Sequence, residues 1–304
     1  KTIKPLLAKS WTVSPDGKTY TFELRDDVTF CSGKKMTADD VAYTFNRMLD
    51  PENKKPSAQK MGKVKAIAAQ GPTKVVYELN EPYNELLYTL TLMHGTILNK
   101  ENVDALGKDF GIKGMDGTGP FCWESWTPRT EMTVKRHAAY KWGPPIYANK
   151  GPAKVEKIVF KMVPEDASRM AAVMSGQGDL TYAVPLWSVA ELKKAPTVQV
   201  IEPANYFRTC FIGNKITRDL MKDVEVRKAM NLAVNREDIA KSVFFGNAIP
   251  APAYLHPGTP DFAAATQNTP LGKFNPAEAR KLLDAAGWKA GDDKMRAKDG
   301  VKLQ

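Results

Sequence analysis

The sequence predicts an α/β or α+β protein with more than one lobe, and three observations carry that prediction. Short stretches of alternating apolar and polar residues are interspersed irregularly with stretches of helical period along the whole chain. Its 304 residues suffice for about two domains at roughly 150 residues each. Neither an internal repeat nor a low-complexity linker interrupts it.

In chain order, Trp11 to Ser14 and Lys18 to Leu24 read as a hairpin. Ser14-Pro15-Asp16-Gly17 supplies the turn, and Tyr20, Phe22 and Leu24 alternate with polar neighbours. Thr37 caps a helix with Asp40 in the capping-box position. Val41, Phe45 and Met48 share its apolar face until Asp50-Pro51 ends it. Lys63 to Ala69 and Lys74 to Leu79 form a second alternating pair across a Gly71-Pro72 turn, and helical patterns follow at Tyr83 to Leu92 and Glu101 to Leu106. Met115 to Phe121 is glycine-rich punctuation before a new series of strands, Glu131 to Arg136 and Lys154 to Met162. Asp166 to Ser175 makes a helix closed by Gly176, and Val198 to Glu202 and Tyr206 to Gly213 are β-like.

Asp223 to Gly246 is the most strongly patterned segment. Asp223 caps a helix whose apolar positions are Val226, Ala229, Met230 and Ala233. Asn235 stops it and caps the next, with Asp238 as the acidic member of a box and Ile239, Val243 and Phe244 as the second stripe. After a proline-rich loop at Pro250 to Pro260, Asn275-Pro276 opens a last helix, with Glu278 three residues past the cap.

Composition narrows the function classes. Hydrophobic residues at 43% and charged residues at 26% describe an ordinary globular chain, and no apolar run of about eighteen residues could cross a membrane. The net charge of +10 is spread over scattered basic residues, which argues for a solvated surface and against a nucleic-acid partner, with steering of acidic ligands left open. Cys31, Cys122 and Cys210 lack zinc or redox spacing and read as small buried hydrophobes. A Cys31–Cys122 bridge is permissible in an oxidising compartment. His94, His137 and His256 show no ligand spacing, so neither metal nor cofactor is expected.

Tests for catalysis fail. Asp116-Gly117-Thr118-Gly119 has a glycine too many for an aspartic-protease motif and lacks the ending of a phosphate loop, which leaves backbone punctuation. Neither a nucleophile elbow nor a zinc-protease motif is present. The pairs Asp39-Asp40, Glu165-Asp166 and Glu237-Asp238 fall in first helical turns, where the helix dipole favours negative charge. No enzyme is expected.

Six segments, in order, resemble one family. They are SWTVSPDGKTYTFELR from Ser10, FCSGKKMTADDVAYTF from Phe30, GTGPF from Gly117, SGQGD from Ser175, the helical pair from Asp223, and Asn275 to Trp288. Cys31 and Ser32 depart from the usual polar-acidic pair. The family is the extracytoplasmic solute-binding proteins, family 5, which serve peptide, dipeptide and nickel ABC importers. The resemblance implies an α/β, two-lobed periplasmic-binding-protein (venus flytrap) fold, with an extra subdomain in the first lobe and an incomplete second lobe. Residues 1–116 would be the inserted subdomain, 117–208 the main part of the first lobe and 209–304 the start of the second. On this reading the chain is a fragment of a longer protein.

The implied function is capture of peptides or related small solutes by hinge closure and delivery to a membrane permease of an ABC transporter. The protein would act as a monomer, periplasmic or extracytoplasmic, free or lipid-anchored. Nickel chelates, opines or oligosaccharides are alternative ligands, and a periplasmic enzyme or ligand sensor is the alternative class. The implied ligand-binding residues are Tyr182 after SGQGD, Trp187 as a stacking wall, Tyr206, Phe207 and Arg208 at the crossover, and His94. Each of five has a structural alternative: core for Tyr182 and Phe207, helix packing for Trp187, a structural carboxylate for Arg208, a plain loop for His94.

Overall fold

Period-two alternation in the sequence becomes a four-stranded antiparallel sheet. The computed structural model describes residues 2–53, 56–182, 184–202, 209–251, 253–255, 262–292 and 295–303. Two units emerge, Lys1–Met162 and Val163–Gln304.

In the first unit, β1 (Ala8–Val13) and β2 (Thr19–Leu24) form the predicted hairpin. Asp16 holds the turn by accepting from the Ser14 hydroxyl at 2.5 Å and the Lys18 N–H at 3.1 Å, and Gly17 takes a φ of +68° there. Helix α1 (Ala38–Leu49) follows, then β3 (Val64–Ala69) and β4 (Lys74–Leu79), giving the order β1-β2-β4-β3. Tyr20, Phe22, Leu24, Val75, Tyr77 and Leu79 point inward, against Val41 and Phe45 of α1. Met48 packs at the margin. The Asn46 amide donates to the Ile67 carbonyl at 3.1 Å and ties α1 to β3. Tyr77, fully buried, donates its hydroxyl to the Met61 carbonyl at 2.7 Å, and burial pushes its pKa up.

Helix α2 is shorter than its sequence pattern. It covers only Leu86–Leu90, and Met93–Gly95 turns as a 3-10 segment. Leu86 and Thr89 of that helix are buried and Leu87 and Leu90 pack at the margin of the core, so little beyond this short stretch is held by packing. Helix α3 (Lys100–Leu106) is capped by Asn99. A second antiparallel sheet then runs β5 (Phe121–Thr127), β6 (Glu131–Arg136) and β7 (Lys157–Lys161), in that order.

The second unit begins with α4 (Asp166–Met174), whose end Gly176 closes at a φ of +77°. Short helices α5 (Val189–Leu192) and α6 (Asp219–Lys222) precede α7 (Val224–Ala233) and α8 (Arg236–Ser242). Asp223 caps α7 through the Glu225 N–H at 2.9 Å and Asn235 caps α8 through the Asp238 N–H at 3.0 Å, both caps as predicted, but among the described residues Asp238 does not return a hydrogen bond to the Asn235 N–H to complete a box. Helix α9 (Pro276–Ala285) starts at its Asn275 cap, and β8 (Lys289–Ala290), β9 (Arg296–Lys298) and β10 (Val301–Lys302) make a small antiparallel sheet. Ala229 and Leu232 of α7 pack on Ala279 of α9, with Leu271, Leu282 and Leu283 around them.

Three more sequence expectations need correction. The buried face of α7 is Val226, Ala229 and Leu232, while Met230 and Ala233 are exposed. In α8 only Ala240 is buried, and Ile239 and Val243 are exposed. The β-like stretches 198–202 and 209–213 form no strand, because among the described residues no neighbouring strand offers them a ladder; Ile201, Phe211 and Ile212 lie exposed.

Candidate functional site

The glycine-rich element at 116–120 is held by a buried hub. Asp116 is buried and accepts from the Ser32 N–H at 3.1 Å, the Ser32 hydroxyl at 2.5 Å and the Asn99 amide at 2.7 Å. The carbonyls that follow are all engaged. Gly117 accepts from the Cys31 N–H at 3.0 Å, Thr118 from the Trp142 indole at 2.8 Å, Gly119 from His137 Nδ1 at 3.0 Å and Pro120 from the His137 N–H at 2.9 Å. These bonds tie the element to the Cys31 loop, Trp142 and His137, a positioning role that suits the punctuation reading.

Asp40 is equally committed. Its carboxylate accepts from Lys34 Nζ at 2.8 Å and from the Thr37 N–H and hydroxyl, both at 3.0 Å. This is the predicted capping interaction, and it leaves the Asp39-Asp40 pair structural. The Cys31–Cys122 bridge that the sequence left open is formed, with Cys210 free and exposed.

Two shallow grooves lie within single units. One, of about 270 Å³, is lined by Leu6, Arg25, Trp142, Pro145 and Lys150. Its guanidinium is taken: Arg25 makes a two-pronged pair with Asp27, both contacts at 2.8 Å. The hydrogen bond raises the Arg25 pKa and lowers that of Asp27. The other, of about 220 Å³, runs between α7 and α9 and is apolar, with Met230, Ala233 and Leu283 among its walls. Neither brings together acid, base and nucleophile.

The residues implied as ligand-binding are placed as follows. Tyr182 is 95% exposed and Trp187, on the 3-10 turn Leu186–Ser188, is 51% exposed, so neither is core or helix packing within its own unit. Both belong to the second unit, whereas His94, half-buried on the Met93–Gly95 turn, belongs to the first. Tyr206, Phe207 and Arg208 lie outside the described residues. The structure adds a pair that sequence reading missed. Phe211 and Tyr254, 66% and 64% exposed, meet edge to face with ring centroids 5.1 Å apart. Two aromatics on segments 43 residues apart carry no periodic signal; the nearest sequence cue is the setting of Tyr254 in the proline-rich loop.

Similarity to known proteins covers nearly the whole chain. The glutathione-binding protein GsiB of Escherichia coli O1:K1 / APEC is 28% identical over 289 residues, 95% of this chain and 54% of GsiB, and that of Salmonella typhi matches over the same span at the same identity. The chain thus spans about half the length of the curated relatives it matches. Among solved structures, NikA from Brucella suis in complex with Fe(III)-EDTA superposes with a TM-score of 0.77 at 26% identity, covering 99% of this chain and 59% of NikA. The periplasmic binding protein DppA from Helicobacter pylori, in complex with the peptide STSA, gives 0.76 at 26%, covering 95% and 58%. NikZ from Campylobacter jejuni in complex with Ni(L-His) gives 0.76 at 25%, covering 98% and 58%. The fold is therefore that of periplasmic binding proteins. With the match to the family's sequence profile running from residue 2 to residue 304, this chain belongs to the bacterial extracellular solute-binding proteins, family 5 Middle.

Proposed function

We propose that the native protein carrying this chain is the substrate-binding component of an ABC importer. It captures peptides or related small solutes by hinge closure and delivers them to a membrane permease, with no turnover of its own. The observation that carries this reading is the family match over residues 2–304, together with relatives named for glutathione and peptide binding. It acts outside the cytoplasm as a monomer, free or lipid-anchored. Residues 1–116 are assigned to the inserted subdomain, 117–208 to the main first lobe and 209–304 to the start of the second, as an assignment of the family's lobes rather than of the compact units.

Physical chemistry supports the site as well as the class. Exposed aromatic rings such as Tyr182, Trp187, Phe211 and Tyr254 are costly to leave in water and supply stacking area when a solute covers them. Arg208 is assigned to a ligand carboxylate, Tyr206 and Phe207 to the walls beside it and His94 to a polar contact. A second reading, capture of a nickel chelate, is favoured by the likeness to NikZ bound to Ni(L-His).

Titration calorimetry of the native protein with glutathione, di- to tetrapeptides and nickel–histidine tests the proposal. Stoichiometric binding with the solute recovered unchanged is expected, and Arg208→Ala should weaken a carboxylate-bearing solute by about 10- to 100-fold, the worth of a charge-assisted pair at about 1.5–3 kcal/mol. Conversion of the solute overturns the transport reading. An unchanged affinity in the variant overturns the role of Arg208.

A further inference from the structure

The fold assembles a group of metal-ligating side chains that no spacing in the sequence announces. The sulfurs of Cys31 and Cys122 and a ring nitrogen of His137 all lie within 4.8 Å of one another. Cys122 and His137 are buried and Cys31 is half-buried. With the bridge formed, the sulfurs have no lone valence to offer a cation as thiolates. With it reduced, they become two soft ligands beside an imidazole.

Two features make the reduced state a built site. First, the frame does not rest on the disulfide. The Cys31 loop stays pinned to the 116–120 element through Ser32, Asp116 and the Cys31–Gly117 backbone bond. Cys122 and His137 are fixed by the β5–β6 ladder, in which Cys122 faces Lys135, and by the His137–Pro120 bond. The sulfurs therefore remain neighbours after reduction. Second, the imidazole is held by the backbone. The Gly119 carbonyl, 3.0 Å from Nδ1, can only accept, so Nδ1 donates to it and Nε2 is the ring nitrogen left to bind a cation. Tyr140 and Trp142 pack around the ring, with centroids 6.4 and 5.4 Å from it, and fix its plane. A tetrahedral zinc ion with sulfur ligands at about 2.3 Å and nitrogen at about 2.0 Å needs ligand atoms about 3.5–3.8 Å apart, within reach of this cluster.

We propose that Cys31, Cys122 and His137 form a redox-gated site for a thiolate-preferring divalent cation of the zinc class. A dithiol reductant passes two electrons and two protons to the bridge, giving two thiols and leaving as its own cyclic disulfide. The cation then displaces both thiol protons, forming two metal–sulfur bonds and one bond to His137 Nε2, with water in the fourth position. A disulfide oxidant closes the site: it takes up the two electrons and two protons to become a dithiol, the Cys31–Cys122 bond re-forms, and the cation leaves to water.

The test uses the native protein with Cys210→Ser, which removes the free exposed thiol. Oxidised and phosphine-reduced forms are titrated anaerobically with Co²⁺ and then Zn²⁺. The reduced form should take up one equivalent of Co²⁺ with a thiolate charge-transfer band and tetrahedral d–d bands, which Zn²⁺ abolishes, while the oxidised form takes up none. His137→Ala should weaken Zn²⁺ binding about tenfold or more, and Cys122→Ser should remove the charge-transfer band of the pair. Circular dichroism of each form checks its fold. Uptake that is absent from the reduced protein, equal in the two redox states, or unaffected by His137→Ala overturns the proposal.

Discussion

Asp116→Ala isolates the hub that positions the 116–120 element. Of the donors that Asp116 satisfies, the two from Ser32 sit on an exposed residue and can turn to water, so their loss is cheap. The Asn99 amide is buried and loses its acceptor at 2.7 Å. A buried donor left unpaired costs about 1–3 kcal/mol, more from a charged partner, so the variant should lose about 3 kcal/mol from the first unit. Asp116→Asn keeps the shape but turns an amide toward a donor, and should lose about 1–2 kcal/mol. Hydrogen exchange with mass spectrometry across a urea series gives separate midpoints for peptides of residues 98–122 and of the second unit. With a urea slope of about 2 kcal/mol/M, the alanine variant should lower the first midpoint by about 1.5 M and leave the second in place. A loss under about 0.5 kcal/mol at unchanged slope would refute the hub.

Two further perturbations address the second unit. Leu232→Ala empties the small core between α7 and α9 and should cost about 2–3 kcal/mol in the midpoint of peptides from 224–233 and 276–285, whereas Met230→Ala, on the exposed side, should cost under about 1 kcal/mol; the reverse order would contradict the packing. Asp223 is pushed up by burial, but the Glu225 N–H, the Trp288 indole and Lys298 outweigh this and hold its pKa below the usual carboxylate range. A folded pKa below the unfolded one gives stability that is complete above about pH 4 and is lost as pH falls through the folded value. Arg296 lowers Asp284 in the same direction. Acid titration of unit stability should therefore show a fall below about pH 4 that is smaller in Asp223→Asn, and a gain in stability on acidification would reverse the assigned sign.

Local chemistry was legible in the sequence where few residues decide it. The Ser14 to Gly17 turn, the Thr37, Asp223, Asn235 and Asn275 caps and the alternation of Tyr20, Phe22 and Leu24 each involve neighbours within four residues, and each appears as read. Burial was less legible, because a stripe says which face is apolar and not what covers it. Ile239 and Val243 show the difference, as does Leu232, a buried α7 residue at the contact with α9, while Met230 and Ala233 lie exposed along the groove. Non-local pairings escaped altogether. Ser32 and Asp116 stand 84 residues apart, and their contact lies next to the cluster of Cys31, Cys122 and His137. For the proposed ligand site, the exposure of Tyr182 and Trp187 suits stacking on a solute, and the Phe211–Tyr254 ring pair was visible only in the fold.

Native mass spectrometry of the protein as purified, followed by denaturing release of anything bound, tests the central claim most directly. Solute capture predicts one small molecule per protein, a peptide or kindred solute, released chemically intact and rebinding with unit stoichiometry. A protein that binds none of the peptides, glutathione or nickel–histidine, or that returns an altered solute, would contradict it.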